Sequence, residues 1–287
     1  MTGGPVSVFC VYGDQHTKHL SAVLIPSLKR ATHRPIEFWA INYAANGQSV
    51  IDAENLPKNS FFRNVSNEGV SLGFAEGHNR LFSARGNDSD FIIINPDCVF
   101  GQSSIDRLLF RKSIEKTCGI VEARQWPWEH PKEYDDLSGE TPWASGAAQL
   151  IDGKFYREIS GMDERYFLYL EDVDLSWQAW LSGRRVIYER AACVAHYTNG
   201  PFYRADLLSQ EEYYSLRNFL YIARKFFGDS GEDRALALLS EHPDKSLAAQ
   251  AIQGYWDDLR GLILDGHVAP NHPQLKITGI NRFHQLR

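Results

Sequence analysis

Three stretches of this sequence put chemistry-bearing residues where regular structure begins or ends. The first is Asn95-Pro96-Asp97, which closes the apolar run Asp90–Asn95 (DFIIIN). A carboxylate at the end of a buried strand can hold a hard divalent cation, and that cation neutralises a diphosphate. The same residue types also build ordinary strand-ending turns. The second is Phe167–Leu175 (FLYLEDVDL), with Glu171, Asp172 and Asp174. Acids in a first helical turn complement the helix dipole; alternatively, one of them faces a cleft as a general base. Helical spacing puts Glu171 and Asp174 on roughly one face and turns Asp172 about 100° away, so the acids need not share a role. The third is His196, near Tyr197, Asn199 and Gly200. A lone histidine is commonly structural. It becomes a metal ligand by converging on Asp97, and that pair suits Mn²⁺ as well as Mg²⁺.

A glycine-rich stretch adds a fourth candidate: Asn67-Glu68-Gly69, then Gly73-Phe74-Ala75-Glu76-Gly77-His78-Asn79. Glycines before and inside a helix start permit close backbone approach to a phosphate or nucleotide. Neither GxGxxG nor a P-loop is present, and there is no HExxH, nucleophile elbow or CxxC pair.

The elements that must position these residues alternate between strand and helix. Val6–Tyr12, Ile36–Asn42 and the weaker Phe61–Val65 read as strands, as do Asp90–Asn95 and Gly119–Ala123. His19–Ala31 reads as a helix with Leu20, Leu24 and Leu28 on one face, kinked by Pro26. Phe74–Ala84 is a second helix, and Ser103 or Ser104 can cap a third that carries Ile105, Leu108 and Leu109. This order predicts an α/β protein with a mostly parallel central sheet. Trp126–Pro142, rich in Pro, Trp and acids, reads as a long functional loop. Ala147–Ile151 follows as a glycine-punctuated stretch, and Arg185–Tyr188 and Cys193–His196 as short strands. From Asp206 the pattern turns helical, which divides the chain into residues 1–205 and a C-terminal helical appendage, 206–287.

Composition excludes several classes. The 287 residues carry 30 Lys and Arg against 36 Asp and Glu, a net charge of −6, so a basic nucleic-acid footprint is absent. No apolar run approaches the ~18 residues of a membrane span. No secretory leader is visible at Met1–Gly13, and Cys10, Cys98, Cys118 and Cys193 are spaced as buried reduced thiols, so a cytoplasmic location is expected. Seven tryptophans suit either a sugar-binding cleft or a large core.

Taken in order, the segments resemble glycosyltransferase family 2, particularly its rhamnosyltransferase-like branch. Asn67–Asn79 is similar to the family's glycine-rich NxG…GFAxGxN segment. Phe91–Val99 (FIIINPDCV) resembles its strand ending in the acidic metal motif, and Gly161–His196 resembles its acceptor-side "ED" segment. Ser145–Ala148 and Tyr214–Lys225, with Arg217-Asn218, also resemble family positions, so the likeness covers most of residues 5–227. It implies a GT-A fold, a Rossmann-like catalytic domain over 1–205 with a donor half of about 1–100 and an acceptor half of about 101–205. It implies Asp172 as catalytic base with Glu171 in support, and Asp97 and His196 as ligands of Mg²⁺ or Mn²⁺. Asn95 stands where many relatives have the first Asp of a DxD motif. Ile41 stands where the family has an Asp that contacts the nucleotide, leaving Asn42 to bond the donor.

The resemblance implies an inverting transfer from a nucleotide-diphosphate sugar, dTDP- or UDP-linked, to a glycan or lipid-linked hydroxyl. The donor would lie near Val11, Tyr12, Gly13, Asn42, Asn67, Gly69, Phe74, His78, Asn79 and Asn95. Trp128, Trp143 and Tyr169, with Trp126, would stack on the acceptor. Rhamnose from dTDP is the first expectation. Galactofuranosyl or hexosaminyl transfer, or an inactive nucleotide- or glycan-binding homologue, are the alternatives. Three jobs are open to the C-terminal helices: covering the acceptor side, packing a second copy, or peripheral membrane contact. Arg224, Lys225, Phe226 and Phe227 form a basic-aromatic cluster that reads as a solvated helix end or as that membrane contact.

Overall fold

The computed structural model describes residues 4–47, 51–130, 133–197, 205–262 and 272–283; Asn199 and Gly200 lie outside them. Strand β1 (Val6–Tyr12) forms as the apolar run predicts. The helix after it is interrupted. Short α1 (Thr17–His19) runs into a π-turn at Leu20–Leu24 before α2 (Ile25–Ala31). Ile25 N–H donates to the carbonyl five residues back, at Leu20. That wide turn sits just before Pro26, whose ring would clash with the carbonyl of a regular turn, so the expected kink is absorbed there. Leu20, Leu24 and Leu28 are all buried.

Next come β2 (Ile36–Asn42), β3 (Phe61–Val65) and α3 (Phe74–Arg85), which ends on left-handed Gly86 (φ 78°). Strands β4 (Phe91–Ile94) and β5 (Cys98–Phe100) flank the Asn95-Pro96-Asp97 turn. Helix α4 (Ser104–Ile114) starts from Ser103, whose side chain makes no capping bond because its backbone is left-handed (φ 57°). The Ser104 hydroxyl donates to the Gly101 carbonyl instead, so the expected serine cap is not formed. Then follow β6 (Cys118–Trp126), β7 (Ala148–Ile151), α5 (Gly153–Glu158), α6 (Glu171–Leu181) and β8 (Arg185–His196). The two short strands read at the end are one strand with a bulge: Ala123 pairs with Glu189 and the next residue, Arg124, with Cys193. Helix α7 (Ala205–Ser240), broken at Gly228, and α8 (Lys245–Asp258) complete the chain's regular structure.

The eight strands form one sheet in the order β3-β2-β1-β4-β7-β6-β8-β5. Pairing is parallel from β3 to β4 and between β6 and β8; β7 runs antiparallel to both neighbours, and β5 to β8. Reversal of β7 matters for the site. It brings the start of β7, not its end, to the mouth where β1, β2 and β4 finish.

Alternation along β1 divides the core. Val8, Cys10 and Tyr12 pack with Leu20, Leu24, Leu28, Ile105 and Leu108; Phe9 and Val11 pack with Ala75, Leu81 and Leu175. A third cluster joins Trp143, Tyr166, Leu170, Val173 and Trp177 to Leu216, Phe219, Leu220 and Tyr255. The C-terminal helices therefore share a core with α6. Arg224–Phe227 is turned inward rather than solvated or offered to a membrane. Phe226 is buried, Phe227 meets the Trp177 ring, Arg224 pairs with Asp229 and Glu232, and Lys225 binds Asp163 and Asp174.

Candidate active site

Strand register brings the first and third candidates together. Cys98 of β5 and His196 of β8 are cross-strand partners. Asp97, one residue before Cys98, thereby meets the end of β8: His196 Nε2 lies 3.4 Å from Asp97 Oδ1. His196 Nδ1 is 2.8 Å from Gln125 Oε1, and in the tautomer that donates Nδ1–H to that oxygen, Nε2 turns a lone pair toward the carboxylate. A lone pair facing an anion is the donor set of a cation site, with Gln125 orienting the ring from behind. One ligand atom each from Asp97, Cys98 and His196 lies within 4.8 Å of the others. Cys98 is the poorer donor, since its thiol is buried and turned to the Ala147 carbonyl. Burial pushes the Asp97 carboxyl up; with no cation between them and the ring protonated, the hydrogen bond and charge of His196 overcome this and hold the carboxyl below the ordinary range.

The second candidate joins the same mouth through two bonds donated by backbone N–H groups. Asn95 N–H donates to the Ala147 carbonyl at 2.8 Å, and Gly146 N–H donates to Asp172 Oδ2 at 2.9 Å. Asp172 Oδ1 accepts from Val173 N–H at 2.8 Å, which with the Gly146 bond fixes the carboxylate plane. Its two neighbouring acids face elsewhere. Asp174 is buried and accepts from Tyr166 Oη (2.7 Å) and Lys225 Nζ (2.5 Å). Glu171 is buried too, and burial followed by the Asp172 charge pushes its carboxyl well above the ordinary range. The three acids thus divide into one facing Gly146 at the mouth, one ion-paired and one held toward its neutral form.

On the donor side, Tyr43 N–H bonds the Tyr12 carbonyl, and Gly13 N–H bonds His16 Nδ1 at 3.0 Å. Asn42 bonds Asp14 Oδ1 at 2.6 Å. Asn67 Nδ2 donates to the Asn42 and Ala44 carbonyls while its Oδ1 receives Gly69 N–H, pinning the loop to the end of β2. Gly69 is left-handed (φ 75°). Phe74, against Gly146, lies beside the Asp172 turn. His78 and Asn79 are set deeper. His78 is buried against the Phe74 ring, and Asn79 bonds Tyr156, Met162 and Glu164. Burial alone pushes the His78 imidazole down to about 3. Ile41 is wholly buried between Val11 and Val65, so the mouth begins at Asn42.

No protein-family model matches the chain. It is 28% identical over 225 residues to the N-acetylglucosaminyl-diphospho-decaprenol L-rhamnosyltransferase of Mycobacterium tuberculosis (strain CDC 1551 / Oshkosh), covering 62% of this chain and 72% of that protein. It is 30% identical over 96 residues to the rhamnosyltransferase WbbL of Escherichia coli (strain K12), covering 33% and 36%. Among solved structures, GalNAc-T7 with UDP, GalNAc and Mn²⁺ superposes with a TM-score of 0.56 at 12% identity, covering 89% of this chain but only 56% of that one. The Pyrobaculum calidifontis mannosyltransferase PcManGT, with GDP-Man and Mn²⁺, gives 0.54 at 12% identity, covering 89% and 76%. The chain is a glycosyltransferase of the GT-A fold. It resembles the rhamnosyltransferase-like branch of family 2.

In this glycosyltransferase the aromatic candidates separate. Trp128 is 75% exposed, Trp126 is also exposed, and Trp143 is buried with Tyr166 and Leu170. His130 packs at a tilt against Trp143, with ring centres 5.4 Å apart, and ties the Trp128 loop to that core. Tyr169 is half-buried in the turn before Asp172. That turn is strained. Leu168 N–H closes onto the Tyr166 carbonyl around Phe167 (φ 61°, ψ −58°), a γ-turn of the rare hand. Tyr169 (φ 71°) and Leu170 (φ 70°) are left-handed as well. Each such residue costs roughly 1–3 kcal/mol and persists only where its surroundings enforce it. Gln125 and Asp14 escaped sequence reasoning. Neither sits in a motif, and their partners His196 and Asn42 are remote in sequence.

Proposed function

We propose that this transferase moves a rhamnosyl group from dTDP-rhamnose to a hydroxyl of a lipid-linked glycan, with inversion. The support for the acceptor and sugar is the mycobacterial relative, whose name specifies rhamnosyl transfer to a diphospho-decaprenol-linked N-acetylglucosamine. The observation that supports the chemistry is the pair of hydrogen bonds Asn95–Ala147 and Gly146–Asp172, which ties Asp172 to the strand end that leads into Asp97.

Asp97 and His196 would hold a divalent cation, with Gln125 orienting the imidazole. That cation supplies Lewis-acid neutralisation of the diphosphate leaving group. The loop pinned by Asn67 and the strand ends at Gly13 and Asn42 bind and orient the nucleotide. Asp172 takes the proton of the acceptor hydroxyl as its oxygen bonds the anomeric carbon. The bond from that carbon to the diphosphate breaks on the opposite face, which inverts the centre. Glu171, held toward its neutral form, adds no second negative charge beside the base.

Asp172→Asn should lower turnover ~10²–10⁴-fold, the usual worth of a positioned general base, while dTDP affinity stays at the wild-type value. Wild-type turnover in that variant overturns the base assignment. Calorimetry with dTDP, UDP and GDP, each with Mn²⁺ and with EDTA, tests the donor. Metal-dependent preference for UDP or GDP overturns the rhamnosyl reading.

A further inference from the structure

The carbonyls of the strained turn before Asp172 are gripped from α7. Asn218 is wholly buried, and its Nδ2 donates to the Tyr166, Leu168 and Tyr169 carbonyls, each at 2.8 Å. Two amide hydrogens are thus shared among three acceptors. Asn218 Oδ1 receives Arg217 Nε (3.1 Å) and Nη2 (3.0 Å), which fixes the amide the right way round. Arg217 Nη2 adds bonds to the Arg165 and Tyr166 carbonyls. On the opposite side, Phe74 N–H at the start of α3 bonds the Phe167 carbonyl at 2.7 Å. A Cβ on Gly73 would lie 2.5 Å from that same carbonyl, so the approach is close.

These contacts set the start of α6. Leu170, the residue before Glu171, has no side-chain cap and a left-handed backbone, so the direction in which Asp172 leaves the turn depends on the carbonyls that Asn218 grips. We propose that Asn218 of α7 is a positioning residue for the base: its amide holds the 166–170 turn in the conformation that delivers Asp172 to Gly146. Arg217 sets the orientation of that amide. The proposal rests on Asp172 being the base, and it makes the C-terminal region part of the reacting machinery rather than a cover over it.

The test is a double-mutant cycle. Asn218→Ala is expected to lower kcat about 100-fold with an unchanged KM for the nucleotide-sugar and an unchanged dTDP affinity. Combined with Asp172→Asn it should cost nothing further, because a residue that acts through the base has nothing left to position. A structural role would cost as much in either background, so additive losses overturn the proposal. Loss of dTDP affinity along with kcat overturns it too. Arg217→Lys shortens the reach to the turn and serves as the second variant should Asn218→Ala not fold; a smaller kcat loss that likewise vanishes with Asp172→Asn is expected. Should Asp172→Asn itself keep wild-type turnover, the function reading has failed, and with it the premise of the positioning role. If Asp172→Asn is impaired and the losses add, the positioning role alone has failed.

Discussion

Gln125 and His196, 71 residues apart in sequence, meet with Oε1 2.8 Å from Nδ1. The amide determines which imidazole nitrogen faces Asp97. Outer partners of this kind typically contribute 10–100-fold to metal affinity. Gln125→Leu should therefore weaken Mn²⁺ binding by about that factor, read by calorimetry, with metal-free dTDP binding unaltered. Unchanged Mn²⁺ affinity would show that the ring needs no such guide.

His78 offers a stability measurement. Its unfolded value near 6.5 falls to about 3 in the folded chain because burial disfavours the imidazolium. The unfolded chain therefore binds the extra proton between those values, and stability declines as pH drops below 6.5. Its share of the slope is about 1.4 kcal/mol per pH unit. Denaturant unfolding at pH 4 to 6 should be flatter in His78→Leu than in the wild type by that one proton. Parallel slopes would place the imidazole in contact with water.

Glu171 behaves in the opposite sense. Its carboxyl is raised by burial first and by the Asp172 charge second, so the folded chain keeps a proton that the unfolded chain has released. Stability is greatest below the unfolded value near 4.5 and falls as pH rises toward the folded value. Glu171→Gln removes that penalty. The variant should gain on the wild type as pH rises from the unfolded value near 4.5 toward the folded value. A gap that stays constant or narrows as pH rises above 4.5 would contradict the assignment.

Lys225 lies between Asp163 (2.8 Å) and Asp174 (2.5 Å), and the Tyr221 and Tyr166 hydroxyls complete the set. Removing one member of a buried ionic group leaves the others uncompensated, at about 3–5 kcal/mol. Lys225→Met should lose that much in urea unfolding although it keeps the apolar stem. A loss under 1 kcal/mol, the range of an exposed pair, would mean that water reaches the carboxylates.

Sequence reading was strongest along uninterrupted strand-like runs. β1, β2 and β3 form over the residues read from their patterns, Val6–Tyr12, Ile36–Asn42 and Phe61–Val65, although only β1 is buried throughout. It was weakest where structure depends on remote pairing. Ala148–Ile151 shows no alternation, and becomes a strand because β4 and β6 hydrogen-bond it from both sides. The meeting of Asp97 with His196 was visible only as a condition, since no local pattern gives the register of β5 on β8. Lys225 misled for a related reason. A lysine in an amphipathic helix reads as solvated unless the carboxylates that bury it, 51 and 62 residues away, are known.

The cluster that joins Trp177 and Val173 of α6 to Leu216, Phe219 and Tyr255 also bears on how such a chain can be recombined. The shift to helix near Asp206 looks like a seam at which one C-terminal module could be exchanged for another. A cut there would strip the apolar cover from α6 and remove Asn218 from the turn beside Asp172. An exchange that preserves folding would have to carry α6 and the 163–170 segment with the helices, so the unit of inheritance is larger on the C-terminal side than the change in composition marks it.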